Sequence, residues 1–224
     1  MKKIVNFTDC ANIYVVLGSV GSGKTHLALN HKGKKLVISF DSSYSTLSGH
    51  ESEVIVVEPE ISDYENPEKL VDEIDNMAKD CSLVVFDNLS AVESSLVNAI
   101  TDGKLGNNTD GRAAYGTVQK LMSKFANWAI HFDGDVLFTL WSETAEDGKE
   151  KPNMNMKAFN LVAGYAKLVS RTEVGFDGYT VVMNPDDRGV IKNRLADKIK
   201  KQSIKNDDYW KAVEFAKGSK HANA

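Results

Sequence analysis

Residues Gly18-Ser19-Val20-Gly21-Ser22-Gly23-Lys24-Thr25 constrain this chain more than any other stretch. They lie between the β-branched run "IYVVL" at 13–17 and a helical pattern that opens at Lys24. A strand that breaks into three glycines can turn its backbone N–H groups onto one point, and a helix starting there adds a partial positive charge. The spacing fits G-x-x-x-x-G-K-[ST] at every fixed position. Such a turn cradles nucleotide phosphates on the backbone of Gly18, Ser19, Val20, Gly21, Ser22 and Gly23. Lys24 reaches the β and γ phosphates, and Thr25 offers a hydroxyl to Mg²⁺.

A nucleotide site needs a sheet to stand on, and the pattern supplies one. Apolar runs at 35–41, 53–59, 82–87 and 135–141 read as strands, most of them buried and parallel. Between them, "NPEKLVDEIDNMAKD" is an amphipathic helix with Asn66 as N-cap and Pro67 in the first helical position. A further helix runs to about Ile100. A long one follows over 113–132, with Tyr115, Val118, Leu121, Met122, Phe125, Trp128 and Phe132 as a core stripe. The stretch after Lys167 alternates apolar runs with the turns "FDG" and "NPDDRG", which predicts β-hairpins at the sheet edge. The expectation is one α/β domain over 1–196 and a basic tail over 197–224 carrying a short helix.

The chain of 224 residues has a formal charge of −4, so any polyanion contact must be a local patch. From Lys192 onward nine Lys and Arg face four Asp and Glu, a local excess of five positive charges. Cys10 and Cys81 stand apart from each other and from any His or Cys cluster, which predicts free buried thiols in a reducing compartment. No apolar run approaches a membrane span, so a soluble cytoplasmic protein without a membrane partner is expected.

Two acids follow strands. "LVVFD" places Asp87 at the end of a buried strand, where a carboxylate can hold Mg²⁺; an acid followed by Asn88 can equally belong to a helix cap. Asp41 ends the strand after the phosphate loop, either to orient an attacking water or to open the turn "DSSYS".

In element order and in the strings "LVVFDNLSAV" and "VIKNRLA", residues 10–196 resemble the RecA-like P-loop ATPases, closest in size to the small phage-encoded recombination and single-strand-annealing proteins. The resemblance implies a RecA-like P-loop NTPase core: a mostly parallel twisted sheet flanked by helices, with C-terminal β-hairpins. ATP and Mg²⁺ are the implied cofactors, with hydrolysis stimulated by DNA. Implied partners are single-stranded DNA, further copies of the chain in a ring or filament, and a single-strand DNA-binding protein. The compartment is then the host cytoplasm.

Carried over residue by residue, Ser142 is the polar switch after the fifth strand, and Lys192 and Arg194 reach the nucleotide of the neighbouring subunit. The same two cations also suit a solvated edge strand. Two loops would meet DNA: 101–112 with Lys104 and Arg112, and 143–158 with Lys149, Lys151, Asn153, Asn155 and Lys157, followed by Phe159 to stack on a base. Solvated surface loops are the alternative. Asp41 stands where that family has glutamate, which leaves room for a nucleotide-dependent interaction module with little turnover. A small-molecule kinase is a further alternative, though only Arg112, Arg171, Arg188 and Arg194 could form its lid. A helicase-loader-like AAA+ ATPase is disfavoured because the chain has no room for a full helical lid domain.

Overall fold

The structure, a computed structural model, describes residues 11–107 and 109–218; Cys10 and Lys220 lie outside the described residues. Fifteen regular elements, ten strands and five α-helices, follow one another as β1 (Ile13–Gly18), β2 (Lys35–Ser39), β3 (Val54–Val57), α1 (Pro67–Ala78), β4 (Leu83–Asp87), α2 (Leu89–Thr101), α3 (Gly111–His131), β5 (Asp135–Thr144), β6 (Glu150–Pro152), α4 (Met156–Ala163), β7 (Leu168–Gly175), β8 (Gly178–Val182), β9 (Lys192–Asn193), β10 (Ser203–Lys205) and α5 (Tyr209–Gly218). The strands form one sheet in the order β10-β8-β7-β1-β5-β4-β2-β3, with β6 paired to β5 and β9 to β7. From β7 to β3 the ladders are parallel, whereas β8 and β10 add antiparallel strands at the edge. The expected α/β architecture is therefore present.

Strand periodicity divides the core in two. On β1, Ile13, Val15 and Leu17 face the layer made by α1 to α4, while Tyr14 and Val16 face the opposite layer. The first layer is the larger, and α3 supplies Val118, Leu121, Met122 and Phe125 to it. Tyr115 and Trp128 of the same stripe behave differently from those four: Tyr115 is exposed, and Trp128 packs at the margin with its Nε1–H donating to Asp75 Oδ1 at 2.9 Å.

The second layer departs from the sequence expectation. The helix expected to open at Lys24 is one 3₁₀ turn, Thr25–Ala28. The backbone leaves the helical path where His31 turns inward to Asp135, with Nε2 3.0 Å from Oδ2, and Gly33 takes a φ of +80°. One turn cannot cover four parallel strands. Helix α5 does so instead, burying Tyr209, Trp210, Val213 and Ala216 against Tyr14, Leu83, Val85 and Leu137. Residues 203–218, read in sequence as part of a basic appendage, thus contribute both an edge strand and a core helix. Cys81 is buried, and burial pushes its thiol pKa up. Among the described residues no helix is long and apolar enough to cross a membrane.

Candidate nucleotide site

Ligands of parallel α/β sheets bind beyond the carboxyl ends of the strands, and that edge gathers the polar groups here. Gly18 ends β1, Asp87 ends β4, and Asp41 lies two residues past β2. The backbone requirement at Gly18 is steric: a Cβ there would sit 2.0 Å from Thr172 Oγ1 and 2.4 Å from Ser22 Oγ. Gly21 and Gly23 have φ of +73° and +87°, the left-handed region open to glycine. Ser22 locks the turn through Oγ, which donates to the Ser19 carbonyl at 2.7 Å and lies 2.7 Å from Thr172 Oγ1.

Lys24 is buried, and its Nζ donates to the carbonyls of Gly18 and Ser19 at 2.9 and 2.7 Å. Burial holds its pKa below the ordinary lysine value, against the pull of the Asp87 and Asp41 carboxylates. Thr25 Oγ1 donates to Asp87 Oδ2 at 2.5 Å, and Thr139 Oγ1 donates to Asp87 Oδ1. Burial raises the Asp87 pKa; the Thr139 and Thr25 hydroxyls oppose that, Asp41 adds to it, and Lys24 counters it. A carboxylate 2% exposed, held by two hydroxyls beside a phosphate cradle, is a fitting ligand set for Mg²⁺ through Thr25 and Asp87. Asn88 is the helix cap that the sequence allowed, accepting the Ala91 N–H at the start of α2, and its Nδ2 also donates to Asp41 Oδ2, which was not foreseen. The Ser43 N–H donates to the other Asp41 oxygen at 3.1 Å.

Residues 21–25, Asp41, Asp87 and Asn88 line one cleft of about 610 Å³, together with Val20, His26, Ser43, Thr46, Trp141 and the segments 177–179 and 205–207; Thr139 stands behind Asp87, outside the lining. Lys24, Thr25, Asp41 and Asp87, all singled out from sequence, meet there. Thr139 was not foreseen. A buried threonine inside "DVLFTLW" carries no signal of its own, since β-branched residues fill strand interiors in any case.

Other expected site residues fall elsewhere. Ser142 is paired with Pro152 and lies outside the cleft lining, where β5 instead presents Trp141. Lys192 Nζ donates to the carbonyls of Ala163 and Gly164, both at 2.9 Å, and Arg194 donates to Gly164 O at 3.1 Å. The two cations thus neutralise the carbonyl end of α4, and neither lines this chain's own cleft. The expected second loop is largely ordered structure, because β5 continues to Thr144 and β6 returns against it. Phe159 is 2% exposed in the core and has no face for a base. Asn155 is the N-cap of α4, its Oδ1 accepting the Lys157 and Ala158 N–H groups. Lys104, Lys149 and Lys151 are exposed but paired with Asp102, Asp147 and Glu143; Arg112, Asn153 and Lys157 are exposed as expected.

A glycine cradle at the carboxyl end of β1, with a strand-end acid one strand removed across β5, defines a P-loop nucleoside triphosphatase. Residues 11–195 match the AAA domain, and the chain belongs to that family of AAA-type P-loop ATPases. No curated protein gives a significant match. The match is to a family of AAA type, the broad class that the sequence reading disfavours for want of room for a helical lid. AAA-type P-loop ATPases generally use ATP and Mg²⁺.

Proposed function

We propose that this chain couples ATP hydrolysis to single-stranded DNA in recombination or annealing of the phage type, working as an oligomer. The observation that carries the catalytic part is the convergence of Lys24, Thr25, Asp87 and Asp41 on one cleft. Mg²⁺ held by Thr25 and Asp87 supplies countercharge to the phosphates when bound. Lys24 exchanges the Gly18 and Ser19 carbonyls for phosphate oxygens and sets their position. Asp41, fixed by Asn88 and by the Ser43 N–H, is the acceptor that orients a water toward the γ phosphate.

The DNA part rests on the exposed cations Lys104, Arg112, Lys149, Lys151 and Lys157, with Asn153 among them. Lys104, Lys149 and Lys151 are paired with neighbouring acids, which lowers what those three contribute, and the phosphates that the set contacts make binding fall as salt rises. Lys192 and Arg194 act on a neighbour's nucleotide by leaving the end of α4. A kinase is the weaker reading, because among the described residues no arginine lines the cleft, and Arg171 is held by Glu173 and Asp186 at 2.8 and 2.7 Å.

The test is ATP turnover with and without a single-stranded oligonucleotide. Stimulation in the unchanged protein and none in Lys24→Ala supports the proposal. Turnover indifferent to DNA refutes its DNA half, and turnover retained in Lys24→Ala refutes the site. Mixing Arg194→Ala with Lys24→Ala restores hydrolysis if the cation acts between subunits.

A further inference from the structure

The cleft extends beyond the groups that meet phosphate and metal. One part of its remaining wall is made by His26, Asp177, Tyr179 and the strap Lys205–Asp207, another by Val20, Thr46 and Trp141. Tyr179 stands near the start of β8 and is 49% exposed, so the core does not use its ring fully. The ring lies against the phosphate loop: a Cβ on Gly23 would be 3.2 Å from Tyr179 Cδ1. The strap is fastened to the same residue, because Asn206 is 3% exposed and donates its Nδ2 to the Gly23 carbonyl at 3.0 Å. Behind it, Asp207 accepts from Asn30 at 3.2 Å and lies 3.5 Å from His26 Nε2, and Trp210 Nε1 donates to the Leu27 carbonyl at 2.7 Å. This strap lies outside the family match, which ends at 195, yet it reaches the loop that the match contains.

A half-exposed aromatic face beside a phosphate cradle, in a cleft large enough for a whole small-molecule ligand, fits a nucleobase. We propose that Tyr179 and the strap Lys205–Asp207 form the nucleoside subsite of the cleft. The base stacks on Tyr179, and the Asp177 and Asp207 carboxylates are the acceptors available to sugar hydroxyls. The strap's role is positioning, since Asn206 holds it at a fixed height over Gly23. The subsite rests on the nucleotide reading above and adds the half of the ligand that the loop does not recognise.

The experiment compares Mg²⁺-ATP with Mg²⁺-tripolyphosphate, which carries the phosphates without the nucleoside. Dissociation constants for both are measured by calorimetry on the unchanged protein, Tyr179→Ala, Tyr179→Phe and Lys24→Ala. Removing the stacking face should weaken ATP binding about ten-fold, with tripolyphosphate unchanged. Tyr179→Phe, which keeps the ring, should bind ATP as the unchanged protein does. ATP affinity unaltered in Tyr179→Ala overturns the subsite, and so does an equal loss of both ligands, which would make Tyr179 a prop for the loop. Failure of the underlying reading has a different signature: Lys24→Ala binds both ligands normally, or the unchanged protein binds neither.

Discussion

Trp210→Ala tests whether α5 is part of the cooperative fold. The ring is 2% exposed and meets three others edge-on, Tyr14 at 5.2 Å, His31 at 4.6 Å and Tyr209 at 5.1 Å between centroids. Truncating a buried tryptophan to alanine costs about 3–5 kcal/mol through lost contacts and the cavity left behind. The indole N–H is also the donor to the buried Leu27 carbonyl, and an acceptor stripped of its partner adds about 1–3 kcal/mol. A loss of about 4 kcal/mol or more is a large share of the ~5–15 kcal/mol that holds a domain together. Trp210→Phe keeps an aromatic ring but loses the donor and part of the indole, so it should cost less than the alanine variant but at least the ~1–3 kcal/mol of the unpaired carbonyl. Urea unfolding followed by far-ultraviolet circular dichroism reads both. With a slope near 3 kcal/mol per M, the alanine variant should lose more than about 1 M in midpoint. An alanine variant within about 0.5 kcal/mol of the unchanged protein would refute the reasoning and make α5 an appendage after all.

Thr139→Val removes a donor that keeps the Asp87 pKa from rising further, so the acid limb of the ATPase pH profile should move to higher pH; a limb that stays in place excludes Thr139 from the metal site. Asp135 is buried, which raises its pKa, but the hydrogen bonds from His31 and Lys217 outweigh that and leave it below the ordinary carboxylate value. Its contribution to stability is therefore present above the unfolded carboxylate pKa and lost as pH falls through the lower folded one. Asp135→Asn should be destabilising at neutral pH by about 1–3 kcal/mol and nearly silent in acid, as urea midpoints at several pH values would reveal. Gly18→Ala forces a Cβ into Thr172 and Ser22 and should cost both stability and nucleotide affinity, which thermal melts with and without ATP would separate.

The phosphate loop, Asp87 and most of the parallel strands were legible because each carries its own local chemistry: glycines at fixed spacing, a carboxylate closing an apolar run, a period of two. Residues whose role depends on what the fold brings beside them were not. Lys192 and Arg194 look like free cations in "VIKNRL" until the end of α4 is seen to lie under them. Phe159 follows a polar loop in sequence, but Asn155 starts a helix there and turns the ring inward. The helix after Thr25 stops within one turn, with His31 held by Asp135 across 104 residues and Gly33 in the left-handed region just beyond; the long-range partner has no sign in the local sequence. Tyr209 and Trp210 did offer a hint, two large aromatics in a lysine-rich stretch, and the excess of charge around them obscured it.

The phosphate loop is closed by chain made long after it. Trp210 and its acceptor Leu27 are 183 residues apart, and at about 5–20 residues per second a ribosome takes roughly 10–40 s to cover that distance. β5 is complete at residue 144, so for the last 66 residues of that stretch, roughly 3–13 s, the face of the sheet carrying Tyr14, Val16, Leu83 and Leu137 has no lid although β1, β2, β4 and β5 have all been synthesised. The nascent chain therefore carries an apolar surface that a chaperone would hold, and its nucleotide cleft lacks a wall until the strap and α5 have emerged. Nucleotide therefore meets its complete site only on the finished fold.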